Sequence, residues 1–105
     1  MKKLLVAAAV SATLLSPMAA QAQKVGLAMA QLDTFLTILK DGTLAAGKKA
    51  GATVQVEDAG NDVGKQLSQI QNMIAQKYDA IIVNPVDTDA TPKITKMVSD
   101  AGIPL

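Results

Sequence analysis

The 105-residue chain contains no cysteine, no histidine, no tryptophan and no arginine, and its aromatic side chains are one phenylalanine and one tyrosine. Each absence removes a class of chemistry. Without Cys there is no disulfide, no thiolate metal site and no attachment point for a lipoprotein's lipid within the chain. Without His there is no imidazole base, no Ser-His-Asp triad and no His-based zinc site. Lys and Arg positions number ten against nine Asp plus Glu, a net charge of +1. With no basic excess and few aromatics, composition argues against nucleic acid as a partner. The segment Ala28-Met29-Ala30-Gln31-Leu32-Asp33 follows the first apolar run and lacks the glycines of a phosphate loop, which argues against a nucleotide-binding enzyme. Asp58, Asp62, Asp87 and Asp89 do not follow calcium-loop spacing. They read as turn and cap residues, and no cofactor or metal is expected.

What is present begins with the N-terminus. Lys2 and Lys3 precede an apolar run from Leu4 to Leu15, broken only by Ser11 and Thr13. Ser16-Pro17 ends the run, and Ala20-Gln21-Ala22 fits the small-x-small site of signal peptidase. A membrane span needs about 20 consecutive apolar residues, more than this run supplies. Residues 1–22 are therefore expected to be a secretory signal, cleaved between Ala22 and Gln23. Loss of Lys2 and Lys3 leaves eight basic residues against nine acidic ones, a net charge of −1. A periplasmic location follows, with no stable membrane insertion after cleavage.

Beyond the signal, apolar periodicity alternates between strand and helix. Lys24 to Met29 is a compact strand-length run. Asp33 is an N-cap candidate before a helix reaching Ala50, with Phe35, Leu39 and Ala46 as its stripe and Leu36 and Leu44 alongside. Gly42 and Gly47 are read as points of close approach to a sheet, and Gly51 as a left-handed cap. Thr53 to Glu57 alternates as a second strand. Asp62 caps a second helix whose apolar face is Val63, Leu67, Ile70 and Ile74, with Met73 beside it. Gln66, Ser68, Gln69, Gln71 and Asn72 are assigned to its wet side. Ala80 to Val83 is an unbroken apolar run, expected to be a central parallel strand covered on both faces. A third helix starts near Asp89 to Pro92 and buries Ile94, Met97, Val98 and Ala101. Gly102 stops it, and Ile103-Pro104-Leu105 opens a fourth strand. Alternation of this kind predicts an α/β fold, a parallel sheet with helices on both faces.

The ordered series from Lys24 to Leu105, above all Tyr78 to Leu105 with its Asn84-Pro85-Val86-Asp87 and Ala101-Gly102-Ile103-Pro104, resembles the first lobe of periplasmic sugar-binding proteins of ABC importers, of the ribose and glucose/galactose type. The resemblance implies the flavodoxin-like strand order 2-1-3-4 of a type I periplasmic binding protein, with a ligand cleft at the loops after the first and third strands. It implies that residues 23–105 are a partial N-terminal lobe, truncated in strand 4, of a two-lobe protein. It also implies sites. Glucose/galactose-type receptors carry Asp-Asn-Phe after the first strand; Asp33 and Phe35 match by position, and Thr34 replaces Asn. A carboxylate accepts charge-assisted bonds from sugar hydroxyls, and an aromatic ring covers the C–H face of the ring. The bare sequence supports a blander alternative, with Asp33 as a cap and Phe35 as core. Gln31 and Asn84 are further candidate contacts from the same two loops, and Met29 is placed beneath the ligand.

Ribose-type receptors carry two adjacent Phe here. Leu36 occupies the second place, which favours a pyranose or cyclitol over ribose. The wording Asp33 to Gly42 also resembles inositol receptors. The function implied is a non-enzymatic substrate-binding component that captures a monosaccharide or cyclitol and delivers it to an ABC permease. A sugar-sensing regulatory domain of the same fold is the alternative, and a doubly wound enzyme the next. Such regulators begin with a DNA-binding helix-turn-helix, whereas this chain begins with signal-like residues.

Overall fold

A computed structural model describes residues 22–105. Apart from Ala22, the expected signal segment lies outside the described residues. Three strands alternate with three helices: β1 (Lys24–Met29), α1 (Thr34–Lys49), β2 (Thr53–Asp58), α2 (Val63–Ala75), β3 (Ala80–Val83) and α3 (Thr91–Asp100), the last preceded by a 3-10 turn over Thr88–Ala90. The sheet is parallel with order β2-β1-β3. Its register sets Val25 beside Val54 and Ala80, and Leu27 beside Val56 and Ile82. The chain then returns to the outer side of β3, where Ile81 N donates to Pro104 O at 3.0 Å. Pro104 thus stands where strand 4 of a 2-1-3-4 order belongs, although no fourth strand is formed among the described residues.

Side-chain alternation divides the helices between the two faces. Ala28 and Ile81 join Ile70 and Met73 of α2, Ile94 and Val98 of α3, and Tyr78 in one buried cluster. Val54, on the other face, meets α1. A Cβ on Gly47 would lie 2.5 Å from Val54 Cγ2, so only glycine permits this approach. Gly51, at φ +74, ends the helix in the left-handed region, where glycine carries no steric penalty.

Several expectations are corrected. Gly42 has no neighbour within 4 Å of a Cβ and plays no part in the approach to the sheet. None of α1 is buried: Phe35 is 76% exposed, Ile38 69% and Leu39 47%. One helix lies on this face against two on the other, and it sits over β2. For the same reason β3 is covered on one face only. Ile81 is buried, whereas Ile82 remains 45% exposed. The central strand is β1, whose residues Gly26 to Met29 are all buried. In α3, Ile94 and Val98 are buried and Met97 half-buried, but Ala101 is the exposed C-cap. In α2, Ile70 and Met73 form the buried centre, flanked by half-buried Val63, Leu67 and Ile74. Gln66, assigned above to the wet side, is 1% exposed. Gln69 is half-buried, its Nε2 donating to Asp58 O at 3.0 Å.

Candidate functional site

The C-terminal ends of the three parallel strands lie together, and short loops leave each of them. In open parallel sheets this edge is where ligands bind, beside the strand at which connections diverge. Here that strand is β1, because α1 leads outward to β2 while β3 lies on its other side.

The loop after β1 is held from both flanks. Ala30 N donates to Asn84 Oδ1 at 3.1 Å, and Ala30 O accepts from Asn61 N at 2.7 Å. Met29, fully buried, closes the strand beneath the loop, its carbonyl accepting from Ala59 N at 3.0 Å. Asn61 stands at φ +62, a left-handed geometry that Asn tolerates better than most residues. From there its Nδ2 donates to Gln31 Oε1 at 2.9 Å. Gln31 Nε2 is 3.4 Å from Asp33 Oδ2, a long contact. The loops after all three strands are therefore joined.

Asp33 does what its cap position predicts: Oδ1 accepts from Leu36 N at 2.7 Å, satisfying one of the free N–H groups at the start of α1. The cap engages one oxygen and leaves Oδ2 at an exposed position. Phe35 follows on the first turn of α1 and is largely in solvent, so the core alternative for Phe35 does not hold. Gln31 and Asn84 are half-buried. Asn84 spends its side-chain carbonyl on Ala30 and its backbone N–H on Ala28 O at 2.9 Å, which is a structural task. Asp58, Asp62 and Asp87 likewise accept from Gly60 N, Lys65 N and Asp89 N, at 2.8, 2.9 and 2.9 Å. Those are turn and cap duties.

Two residues that sequence reasoning left out of the site stand against its loops: Asn61 bonds Gln31 and Ala30, and Gln66 bonds Asn84 O and Val86 N. Asn61 carried a readable signal in the turn cluster Asp58 to Asp62. Gln66 carried one in its spacing, three residues after Val63 and four before Ile70, which places it on the apolar face of α2.

Residues 25–105 match the periplasmic binding protein domain family. The chain is 50% identical, over an alignment of 107 residues, to a putative rhizopine-binding protein of Rhizobium meliloti, spanning 100% of this chain and 34% of that protein. It is 32% identical to the ribose import binding protein of Escherichia coli, covering 100% of this chain and 36% of that one. Among solved structures, an ABC transporter solute-binding protein from Bacillus halodurans C-125 with bound myo-inositol superposes with a TM-score of 0.72 and 41% identity, over 78% of this chain and 29% of that one. The chain spans about a third of the length of these curated relatives, which are solute-binding proteins and not enzymes. With a parallel β2-β1-β3 sheet, joined loops at its C-terminal edge and this similarity along nearly all of the described residues, the chain belongs to the periplasmic binding protein domain family.

Proposed function

We propose that this chain is the N-terminal part of a two-lobe substrate-binding component of an ABC importer. It captures a polyol, cyclitol or pyranose in the periplasm after export directed by residues 1–22, and hands it to a membrane permease. Asp33 Oδ2 and the ring of Phe35 are the ligand-holding groups of this lobe. Gln31 lies beside Asp33, and Asn84 serves chiefly to place the loop. Phe35 carries this reading: a large apolar ring stands in solvent at the C-terminal edge of β1, two residues beyond the exposed carboxylate Asp33. An acceptor beside an apolar face is the pairing that a polyhydroxylated ring needs. Similarity to a myo-inositol-bound solute-binding protein and to a rhizopine-binding protein favours a cyclitol within that class. Closure of two lobes about a hinge is the motion by which such a receptor retains its ligand.

Titration calorimetry on the full-length mature receptor tests this reading, with myo-inositol, D-glucose and D-ribose as ligands. Saturable binding of myo-inositol, stronger than that of ribose, is expected. Absence of saturable heat with all three would overturn it.

A further inference from the structure

We propose that Gln66 is a positioning residue for the ligand loops, a buried amide that locks the end of β1 to the loop after β3 and thereby sets where Asp33 and Phe35 stand. The inference rests on the receptor reading above and deepens it.

Gln66 is 1% exposed, the only polar or charged residue so buried among the described residues. A buried amide costs free energy unless its donors and acceptor are all engaged. The acceptor and one donor are engaged by backbone of the loop leaving β3, and the second donor makes a long contact to β1. Nε2 donates to Asn84 O at 2.8 Å and reaches Ala28 O at 3.4 Å, while Oε1 accepts from Val86 N at 2.9 Å. Asn84 O and Val86 N belong to the loop leaving β3, past the end of the sheet ladder, while Ala28 O lies within β1 and also accepts from Asn84 N at 2.9 Å.

The lock extends to the loop of the candidate site. Asn84, whose carbonyl Gln66 holds, gives its own Oδ1 to Ala30 N at 3.1 Å. Ala30 begins the short loop that ends at the Asp33 cap, with Phe35 two residues further on. The sequence of contacts is Gln66, Asn84, Ala30, and then three residues of chain to the cap. An apolar residue at position 66 would fill the space equally well. It would leave Asn84 O and Val86 N without partners and loosen the loop after β3, on which Ala30 N depends through Asn84 Oδ1. The amide is therefore there for placement rather than for packing.

The test uses the isotope-labelled full-length receptor and compares Gln66→Met with Ile70→Val. Met is close to Gln in length and makes none of its bonds. Ile70→Val lowers stability from the same helix face without touching the lock. Two quantities are read: amide hydrogen exchange at Ala30 and Val86, and calorimetric affinity for myo-inositol. In Gln66→Met, both amides should exchange faster while those of Leu27 and Ile81 stay protected, and affinity should fall by about tenfold or more. Ile70→Val should change neither quantity at the site. If Gln66→Met does not fold, Gln66→Asn keeps the amide but shortens its reach, and the same pattern is expected in milder form. Unchanged exchange at Ala30 and Val86, or an affinity loss matched by Ile70→Val, overturns the proposal. If wild-type protein binds none of myo-inositol, D-glucose and D-ribose, the receptor reading fails, and the exchange comparison decides the lock by itself.

Discussion

Asp33 caps α1, and in the proposed function it has a second task as a ligand contact. Its Oδ1 caps α1 through Leu36 N, and its Oδ2 remains available at the surface. The two tasks separate experimentally. Loss of an N-cap costs about 0.5–2 kcal/mol of stability. Loss of a ligand contact leaves sugar hydroxyls unpaired in a closed cleft, which costs about 1–3 kcal/mol of binding. In the full-length receptor, Asp33→Ala is expected to lower both the melting temperature and the affinity for myo-inositol. Phe35→Ala is expected to weaken affinity by about 1–3 kcal/mol. It should leave the melting temperature nearly unchanged, because Phe35 is 76% exposed and contributes little to the core. Calorimetry with a parallel thermal melt separates the outcomes. Affinity within twofold of wild type in both variants would remove Asp33 and Phe35 from the site. The residue types of this pair were legible in the sequence because capping and stacking depend on local chemistry. The outward position of Phe35 was not, since periodicity alone placed it equally well on a buried stripe.

Helix α2 is the element that binds the layers. Ile70 and Met73 lie at its centre, against Ala28, Ile81 and the side chains of α3. Ile70→Ala should cost about 2–5 kcal/mol in urea unfolding of the full-length protein, from lost transfer energy and an unfilled cavity. Gln69 offers the contrast. Its Nε2 donates to Asp58 O, but its buried Oε1 has no partner. Truncation removes a bond and an unsatisfied acceptor together. These offset, so Gln69→Ala should shift stability by less than about 1 kcal/mol. Equal effects of the two substitutions would show that the buried face of α2 is wrongly assigned. The stripe itself was readable from spacings of four, three and four. Gln66 lies on the same stripe by spacing, but its backbone partners Asn84 O and Val86 N are a fact of tertiary approach that composition does not carry.

As a whole, residues 22–105 form a three-stranded sheet whose edges are β2 and β3. Beside β3 lies an apolar groove of about 250 Å³, lined by Ile81, Ile82, Val83, Pro85, Ile94 and Leu105 among others. Backbone at a sheet edge next to apolar surface invites pairing with other chains. Residues 23–105, produced alone, are accordingly expected to sediment as a concentration-dependent mixture and to give no saturable heat with millimolar myo-inositol. A well-behaved monomer that binds at micromolar concentration would overturn the two-lobe reading. Export makes a separate prediction. N-terminal sequencing of the periplasmic protein should begin at Gln23, and recovery of intact Met1 in a membrane fraction would remove the signal assignment.

Element order, helix caps, left-handed glycine and parallel topology are consequences of local propensity, apolar period and the short reach of βαβ connections. The sequence by itself therefore determined the α/β class, the caps at Asp33 and Asp62 and the turn at Gly51, whereas the central place of β1 was only implied by the family resemblance. Only the tertiary structure decided which apolar residues are covered. Coverage depends on how many helices lie on each face: two over Ala28 and Ile81, one over Val54. That imbalance leaves Phe35, Ile38 and Ile82 in solvent. Burial is a property of neighbours, and the neighbours of these residues are distant in the chain.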